Sequence, residues 1–401
     1  MKIVQINATC GIGSTGKICK SISELLTQKG IENYVFYSLG HSDYELGIKF
    51  SHKYYGKLQA LKARILGNNG FNSHLSTLYL LKQIDKIKPD IIHLHNIHSN
   101  DCNLNMLFKY IKKRNIKVYW TFHDCWAFTG GCTHFTIAHC EKWKGACNNC
   151  PQIKEKSWFF DRSTTMFERK RKILKDIDMT IITPAKWLAD LVKCSFLKEK
   201  PIYVIYNGLD YNVFKPTSSQ FRKDFGIDNN YVLLGVAMPW SNKKGLDVFI
   251  DLAKKLSSEY KIVLVGISDE QKKLLPNNII AIKKTHNQKE LCEIYSSADL
   301  YVNPSREEVL GMVNIESLAC GTPVLMFNTG GCPECIDCHS GRISEYNDSE
   351  SLKQNIIDIC EHSLYKSDFC FGKAEQFNQK TFYDNYLKLY MNAECNSIDK
   401  K

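Results

Sequence analysis

The stretch from Asn303 to Glu334, NPSREEVLGMVNIESLACGTPVLMFNTGGCPE, constrains the fold more than any other part of the chain. One apolar run, Leu300-Tyr301-Val302, precedes it, and a second, Pro323 to Phe327, leads into Gly330-Gly331. Between them the pattern predicts a loop and a short helix, with Gly311 near the turn and Gly321 where a helix C-terminus wants positive φ. Strand, loop, helix and strand make a βαβ unit, whose loop sits at the carboxyl end of a strand, where α/β sheets bind ligands. Two carboxylates frame that loop, Glu308 before the helix and Glu316 on it. With every intervening residue helical they would stand about 12 Å apart along the axis. That exceeds the roughly 5 to 9.5 Å of a glycosidase pair, so each carboxylate is expected to grip a different part of one extended ligand. The N–H groups of Leu310, Gly311 and Met312, opening the helix, would face anionic oxygens between them.

The same alternation runs through the rest of the chain. Lys2 to Asn7 reads as the first strand, followed by a glycine-rich loop, Cys10 to Gly16, and a helix with Ile18, Ile22, Leu25 and Leu26 inward. That loop carries the dinucleotide spacing Gly11-x-Gly13-x-x-Gly16 and most of a P-loop, but Ile18 stands where the P-loop Ser or Thr would hold Mg²⁺. Strands over Ile91 to His95 and Val118 to Phe122 run into His95 and His123-Asp124, which parallel pairing places on one sheet edge. His93 is expected to be a buried, satisfied histidine. A second series of strands begins at Tyr231 to Val236 and continues through Lys261 to Val265, Ile279 to Ile282 and Leu300 to Val302.

Pro304-Ser305, Glu308, Gly311, Glu316, Cys320-Gly321-Thr322-Pro323, Gly330-Gly331 and Glu334 closely resemble the family 4 retaining glycosyltransferases of the GT-B fold. Val309 and Leu310 replace the usual Gly and Phe, while Glu308 and Glu316 keep the E-x7-E spacing. Val204 to Pro216, VIYNGLDYNVFKP, is similar to the inter-domain signature of that family. The resemblance implies an α/β chain of two Rossmann-like domains facing each other across a cleft. Their expected limits are residues 1–215, with a Cys-rich loop over 125–151, and 216–375. A helix over 376–395, with Phe382, Tyr386, Leu389 and Tyr390 on one face, would cross back to the first domain.

Site roles follow from the same resemblance. Gly13, Ser14, Thr15 and Gly16 would bring backbone N–H groups against the donor diphosphate. Lys244, before Gly245, matches the phosphate-binding Lys; Met238 and Pro239 occupy the place of the usual Arg, and Lys243 is expected to take part of its load. Glu308 would position the sugar and stabilise positive charge at the anomeric carbon, and Glu316 would hold the ribose. His123 would contact the donor sugar, with His95 and Asp124 on the acceptor side. The implied reaction moves a sugar from a nucleotide-diphosphate-sugar to a hydroxyl of a glycan or polyprenyl-diphosphate-linked acceptor, with retention, in cell-surface polysaccharide biosynthesis. No cofactor is expected for catalysis. Two other classes share some of these features: a non-catalytic sugar-nucleotide-binding partner in a polysaccharide assembly complex, and a dinucleotide-dependent oxidoreductase using the Gly11 loop.

Composition narrows the setting. The 44% hydrophobic and 24% charged content suits a globular protein, and no apolar signal region follows Met1 to Ile6. The expected compartment is a reducing cytoplasm, which argues against a disulfide framework from the 17 cysteines. Cys132, Cys140, Cys147 and Cys150 instead suit a structural tetrahedral Zn²⁺. A formal charge of +11 favours anionic partners. The basic amphipathic segment from His52 to Leu66 matches contact with an anionic membrane from the inner face. No nucleic acid partner is expected.

Overall fold

The computed structural model describes residues 1–398. They divide into two compact units, Met1–Tyr206 with the segment from Tyr383 onward, and Asn207–Phe382. Each is built on its own parallel sheet with helices on the faces.

In the first unit the strands are β1 (Lys2–Asn7), β2 (Glu32–Tyr37), β3 (Gly47–Lys49), β4 (Ile91–Leu94), β5 (Lys117–Thr121), β6 (Met179–Thr183) and β7 (Ile202–Val204). They lie in the order β3-β2-β1-β4-β5-β6-β7, with every pairing parallel. All four residues of β4 and all five of β6 are buried, as strands covered by helices on both faces require. The order reverses between β1 and β4, the place where such sheets open a ligand crevice. β4 and β5 run in register, Leu94 opposite Trp120, so His95 and His123 emerge together at that edge.

The last helix, Gln379–Ile398, packs on this first sheet over Tyr386 to Tyr390. Tyr386 and Tyr390 are fully buried. The Tyr386 hydroxyl lies 3.2 Å from Thr121 Oγ1, and Tyr119 donates to the Leu389 carbonyl at 2.6 Å. An aromatic face with hydroxyl tips suits such a seat, since each ring fills the core while its OH finds a partner.

The second unit contains β8 (Tyr231–Val236), β9 (Tyr260–Val265), β10 (Ile279–Ile282), β11 (Leu300–Asn303), β12 (Val324–Phe327) and β13 (Gly341–Ser344), in the order β10-β9-β8-β11-β12-β13. Its core joins Leu233, Phe249, Leu264, Val302, Phe327 and Ile356. The order reverses between β8 and β11, so the loops after those two strands share one crevice-forming edge. Among the described residues no helix is long and apolar enough to cross a membrane.

Candidate functional site: a lysine–glutamate pair at one sheet edge and a histidine chain at the other

In the second unit, the loops after β8 and β11 bring Lys244 and Glu308 together. The Lys244 ammonium and the Glu308 carboxylate form a close ion pair. Beside it Lys243 Nζ lies 3.0 Å from Glu307, whose side chain is buried. Arg306 fastens the two loops. Its backbone N–H donates to the Lys243 carbonyl at 2.8 Å, and its guanidinium grips both oxygens of Asp247 at 2.8 Å each. Such a fork fixes orientation as well as distance.

The helix expected after this loop is Met312–Ala319, and it starts at Gly311, φ 77°, with no side chain capping it. Uncapped N–H groups at a helix start attract anions. Residues 308–311 are not helical, so the uniformly helical spacing does not apply between the two carboxylates. Glu316, on the helix, accepts a hydrogen bond from the Tyr295 hydroxyl at 3.1 Å. Burial, with the Glu316 charge beside it, pushes the Tyr295 phenol well above its ordinary range, so it stays a neutral donor. The Gly330-Gly331 pair backs the loop. Gly331 N–H donates to the Val309 carbonyl at 2.9 Å, and a Cβ on Gly330 would lie 1.8 Å from the Glu308 carbonyl oxygen.

In the first unit, the Gly-rich loop feeds the helix Gly13–Gln28, which has no side-chain cap. Gly11 N–H closes onto the Gly16 carbonyl at 2.9 Å. Gly13 and Ser14 are exposed, and the Thr15 hydroxyl accepts from Asn7 at 3.3 Å. The loop can therefore present N–H groups to an anion.

His95 and His123 meet at the edge, Nδ1 to Nε2, 3.1 Å apart. Their proton positions follow from a chain of partners. Gln5 Nε2 donates to the Cys19 carbonyl at 3.0 Å, which leaves Gln5 Oε1 to accept from His95 Nε2 at 3.2 Å. His95 Nδ1 is then an acceptor, so His123 Nε2 carries the proton and His123 Nδ1 is free of one. Burial pulls His123 down to about 4, so the ring is neutral and Nδ1 can accept from a hydroxyl. His95 is lowered by burial and by its histidine neighbours. Asp124 turns instead to His98 at 2.8 Å. Burial opposes charge on His98, but the Asp124 charge and hydrogen bond outweigh it and raise the imidazole. His93 is fully buried between Thr121 at 2.8 Å and the Tyr390 hydroxyl at 2.6 Å, so it serves packing.

Residues 16–213 match the model described as Glycosyltransferase Family 4, and residues 218–379 match that described as Glycosyl transferases group 1. The chain belongs to the family 4 glycosyltransferases. It is 25% identical to the proposed colanic acid biosynthesis glycosyl transferase WcaC of Escherichia coli strain K12, across 98% of this chain and 100% of that one. It is also 25% identical to N,N'-diacetylbacillosaminyl-diphospho-undecaprenol alpha-1,3-N-acetylgalactosaminyltransferase of Campylobacter jejuni, over 50% of this chain and 57% of that one. In fold it is similar to sucrose-phosphate synthase of Thermosynechococcus elongatus, with a TM-score of 0.74 at 16% identity, covering 98% of this chain and 99% of that one. Anabaena HepE in complex with UDP is similar too, with a TM-score of 0.72 at 16% identity and coverage of 98% and 100%. The fold is GT-B.

Two residues of this glycosyltransferase escaped the sequence reading. Glu307 is adjacent to the motif carboxylate and looks interchangeable with it, yet it is the buried one. Tyr295 lies on a different helix, Gln288–Ser296, and only its aromatic character in an amphipathic run could have marked it. The zinc expectation finds no support in the glycosyltransferase's geometry. Cys132, Cys140, Cys147 and Cys150 do line one small cavity. However, among the described residues no group of three or more His, Cys, Asp or Glu is arranged to hold a metal ion. The physical reason lies in the partners. Lys156 Nζ sits 2.7 Å from Cys132 Sγ and 3.2 Å from Cys150 Sγ, placing a cation between those two thiols. Cys147 Sγ accepts from the Gly130 N–H at 3.2 Å.

Proposed function

We propose that the chain transfers a hexosyl group from a nucleotide-diphosphate-sugar to a hydroxyl of a glycan or lipid-linked acceptor, with retained anomeric configuration, in cell-surface polysaccharide biosynthesis. The observation that carries this is the Lys244–Glu308 pair beside the uncapped start of the Met312–Ala319 helix. A cation and a row of open N–H groups suit a leaving diphosphate, where negative charge develops. A carboxylate at the same place suits the positive charge at the anomeric carbon. Glu316, steadied by Tyr295, is assigned the ribose hydroxyls. The Gly13, Ser14, Thr15 and Gly16 loop is assigned to diphosphate oxygens, and the proton-free Nδ1 of His123 to a sugar hydroxyl. His95 orients His123, and Asp124 orients His98.

Glu308 is already committed to an ammonium, which suits an electrostatic role better than that of a covalent nucleophile. Retention then follows from front-side displacement, in which the leaving phosphate oxygen takes the acceptor's proton as the new glycosidic bond forms. The names of the relatives support the polysaccharide setting. A panel of nucleoside diphosphates by calorimetry, followed by NMR of the product from an α-linked donor, tests the proposal. An α-glycoside is expected. A β-glycoside, or a covalent mass on Glu308, would overturn it.

A further inference from the structure

Three side chains in the Cys-rich part of the first unit form a cluster with no role in sugar transfer as proposed above. The Lys156 ammonium reaches Cys132 Sγ at 2.7 Å and Cys150 Sγ at 3.2 Å. The Cys132 thiol in turn hydrogen-bonds to the Cys150 sulfur. The two sulfurs therefore lie within reach of one another, with one cation against both. They come from separate stretches, since Cys132 follows Gly130-Gly131 and Cys150 precedes the short helix Ile153–Lys156. Cys150 also accepts from the Gln152 N–H. A sulfur that accepts from an ammonium, a thiol and a backbone N–H carries negative charge at low cost, because each donor favours the thiolate.

A small solute can reach this cluster. Lys156 and Cys132 line a cavity of about 380 Å³, many times the roughly 30 Å³ share of one water molecule. Cys150 is half-buried, while Cys132 is 8% exposed. Both also line the small cavity shared with Cys140 and Cys147. Cys147 is engaged there by the Gly130 N–H at 3.2 Å, and the ammonium contact marks Cys132 and Cys150 out of the four. A sulfur poised as thiolate, a second sulfur beside it and an open approach are what thiol oxidation to a disulfide requires.

We propose that Cys150 and Cys132 form a peroxide-reactive pair, oxidised reversibly to a disulfide, with Lys156 as the activating cation. The Cys150 thiolate attacks one oxygen of hydrogen peroxide. The S–O bond forms, the O–O bond breaks, and the departing hydroxide takes a proton from the Lys156 ammonium. The Cys132 sulfur then attacks the sulfenic sulfur of Cys150. The S–S bond forms as the S–O bond breaks, and the second hydroxide leaves with the Cys132 proton. The pair loses two electrons to the peroxide, which becomes two waters, and Lys156 regains its proton from solvent. The disulfide ties the loop after β5 to the helix Ile153–Lys156 and releases Lys156 from both sulfurs. This chemistry does not depend on the glycosyl-transfer reading.

The test exposes the full, reduced chain to hydrogen peroxide and maps its peptides by mass spectrometry. A Cys132–Cys150 disulfide is expected, seen as the loss of two hydrogens and reversed by dithiothreitol. Cys147→Ser should leave it in place. Cys132→Ser should instead leave Cys150 as a sulfenic acid that dimedone traps. Lys156→Met should slow alkylation of Cys150 by iodoacetamide about tenfold or more, and Lys156→Arg should keep most of the rate, because the cation activates the sulfur. If Lys156→Met fails to fold, the unaltered chain decides the matter. Near pH 6 its Cys150 should be alkylated at least about tenfold faster than Cys194, although Cys194 is the more exposed thiol. Equal rates at those two thiols would overturn the proposal, as would an unchanged rate in Lys156→Met or a disulfide through Cys140 or Cys147 in place of this pair. An oxygen inserted between Lys156 Nζ and a sulfur would refute it too. So would about one zinc per chain, after chelator-free purification, shielding all four thiols from peroxide.

Discussion

Replacing Lys244 by Met should separate binding from stability. Lys244 keeps 35% of its side chain exposed and Glu308 20%, so solvent screens the pair and its loss should cost at most about 1 kcal/mol of stability. For a unit of this size that lowers Tm by about 2 to 4 °C. The ammonium's assigned partner is a phosphate, and a charged hydrogen bond to phosphate contributes about 1.5 to 3 kcal/mol. Nucleoside diphosphate affinity should therefore fall about 10- to 150-fold, with little change for the bare nucleoside. Lys243→Met supplies the contrast. It removes the cation facing the buried Glu307 carboxylate, so stability should suffer more than in Lys244→Met and diphosphate affinity less. Calorimetry with paired nucleoside and nucleoside diphosphate, alongside thermal melts of both variants, measures these quantities. Equal losses for nucleoside and diphosphate would remove Lys244 from the phosphate site. A larger binding loss in Lys243→Met would reverse the assignment of the two lysines.

Glu308→Gln should cut kcat strongly while largely sparing donor affinity, and mass spectrometry should find no adduct in either form. Tyr295→Phe removes one buried hydrogen bond to Glu316; steady-state kinetics should show a higher donor KM, worth about 1 kcal/mol, at nearly unchanged kcat. Gly330→Ala forces a Cβ to 1.8 Å from the Glu308 carbonyl and should abolish activity with a large fall in Tm. At Gly13, φ 66°, the added Cβ meets open space, so Gly13→Ala should cost only the left-handed backbone strain of about 1 to 2 kcal/mol. Burial lowers His93 to about 3 and His123 to about 4, so the unfolded chain binds their protons more readily. Their contribution to stability is fully present above the ordinary histidine value and is lost as pH falls toward those folded values. His98, raised by Asp124, runs the other way and loses its contribution as pH climbs through its folded value. Thermal melts should show lower stability near pH 4.5 than near pH 7, a drop of smaller size in His123→Asn, and a flat profile would refute the neutral histidine chain.

The sequence by itself determined the fold class and the alternation of strands, loops and helices along the chain. Largely apolar runs such as Ile91–Leu94 and Tyr231–Val236 carry their strand character locally, and glycines in the loops mark where backbone must approach or turn. The edge strands Gly47–Lys49 and Gly341–Ser344 were not legible, because three or four residues leave no periodic signal and gain their pairing from the neighbouring strand. Where each of two neighbouring carboxylates lies was also a tertiary decision. Glu307 and Glu308 are adjacent and chemically alike, and only the Arg306–Asp247 fork, laying one loop on the other, sends the first inward and the second to Lys244. The outward apolar stripe of the helix Lys53–Leu66 has the same origin. Its amphipathic pattern is visible in one dimension, but Gly56 closing on Asp101 fixes which face is buried. Four cysteines at suggestive spacing likewise met a lysine that spacing could not foresee, because Lys156 enters the cluster from the short helix Ile153–Lys156. Local propensity chooses elements; charge pairing between loops distant in sequence depends on the contacts that the assembled sheets impose.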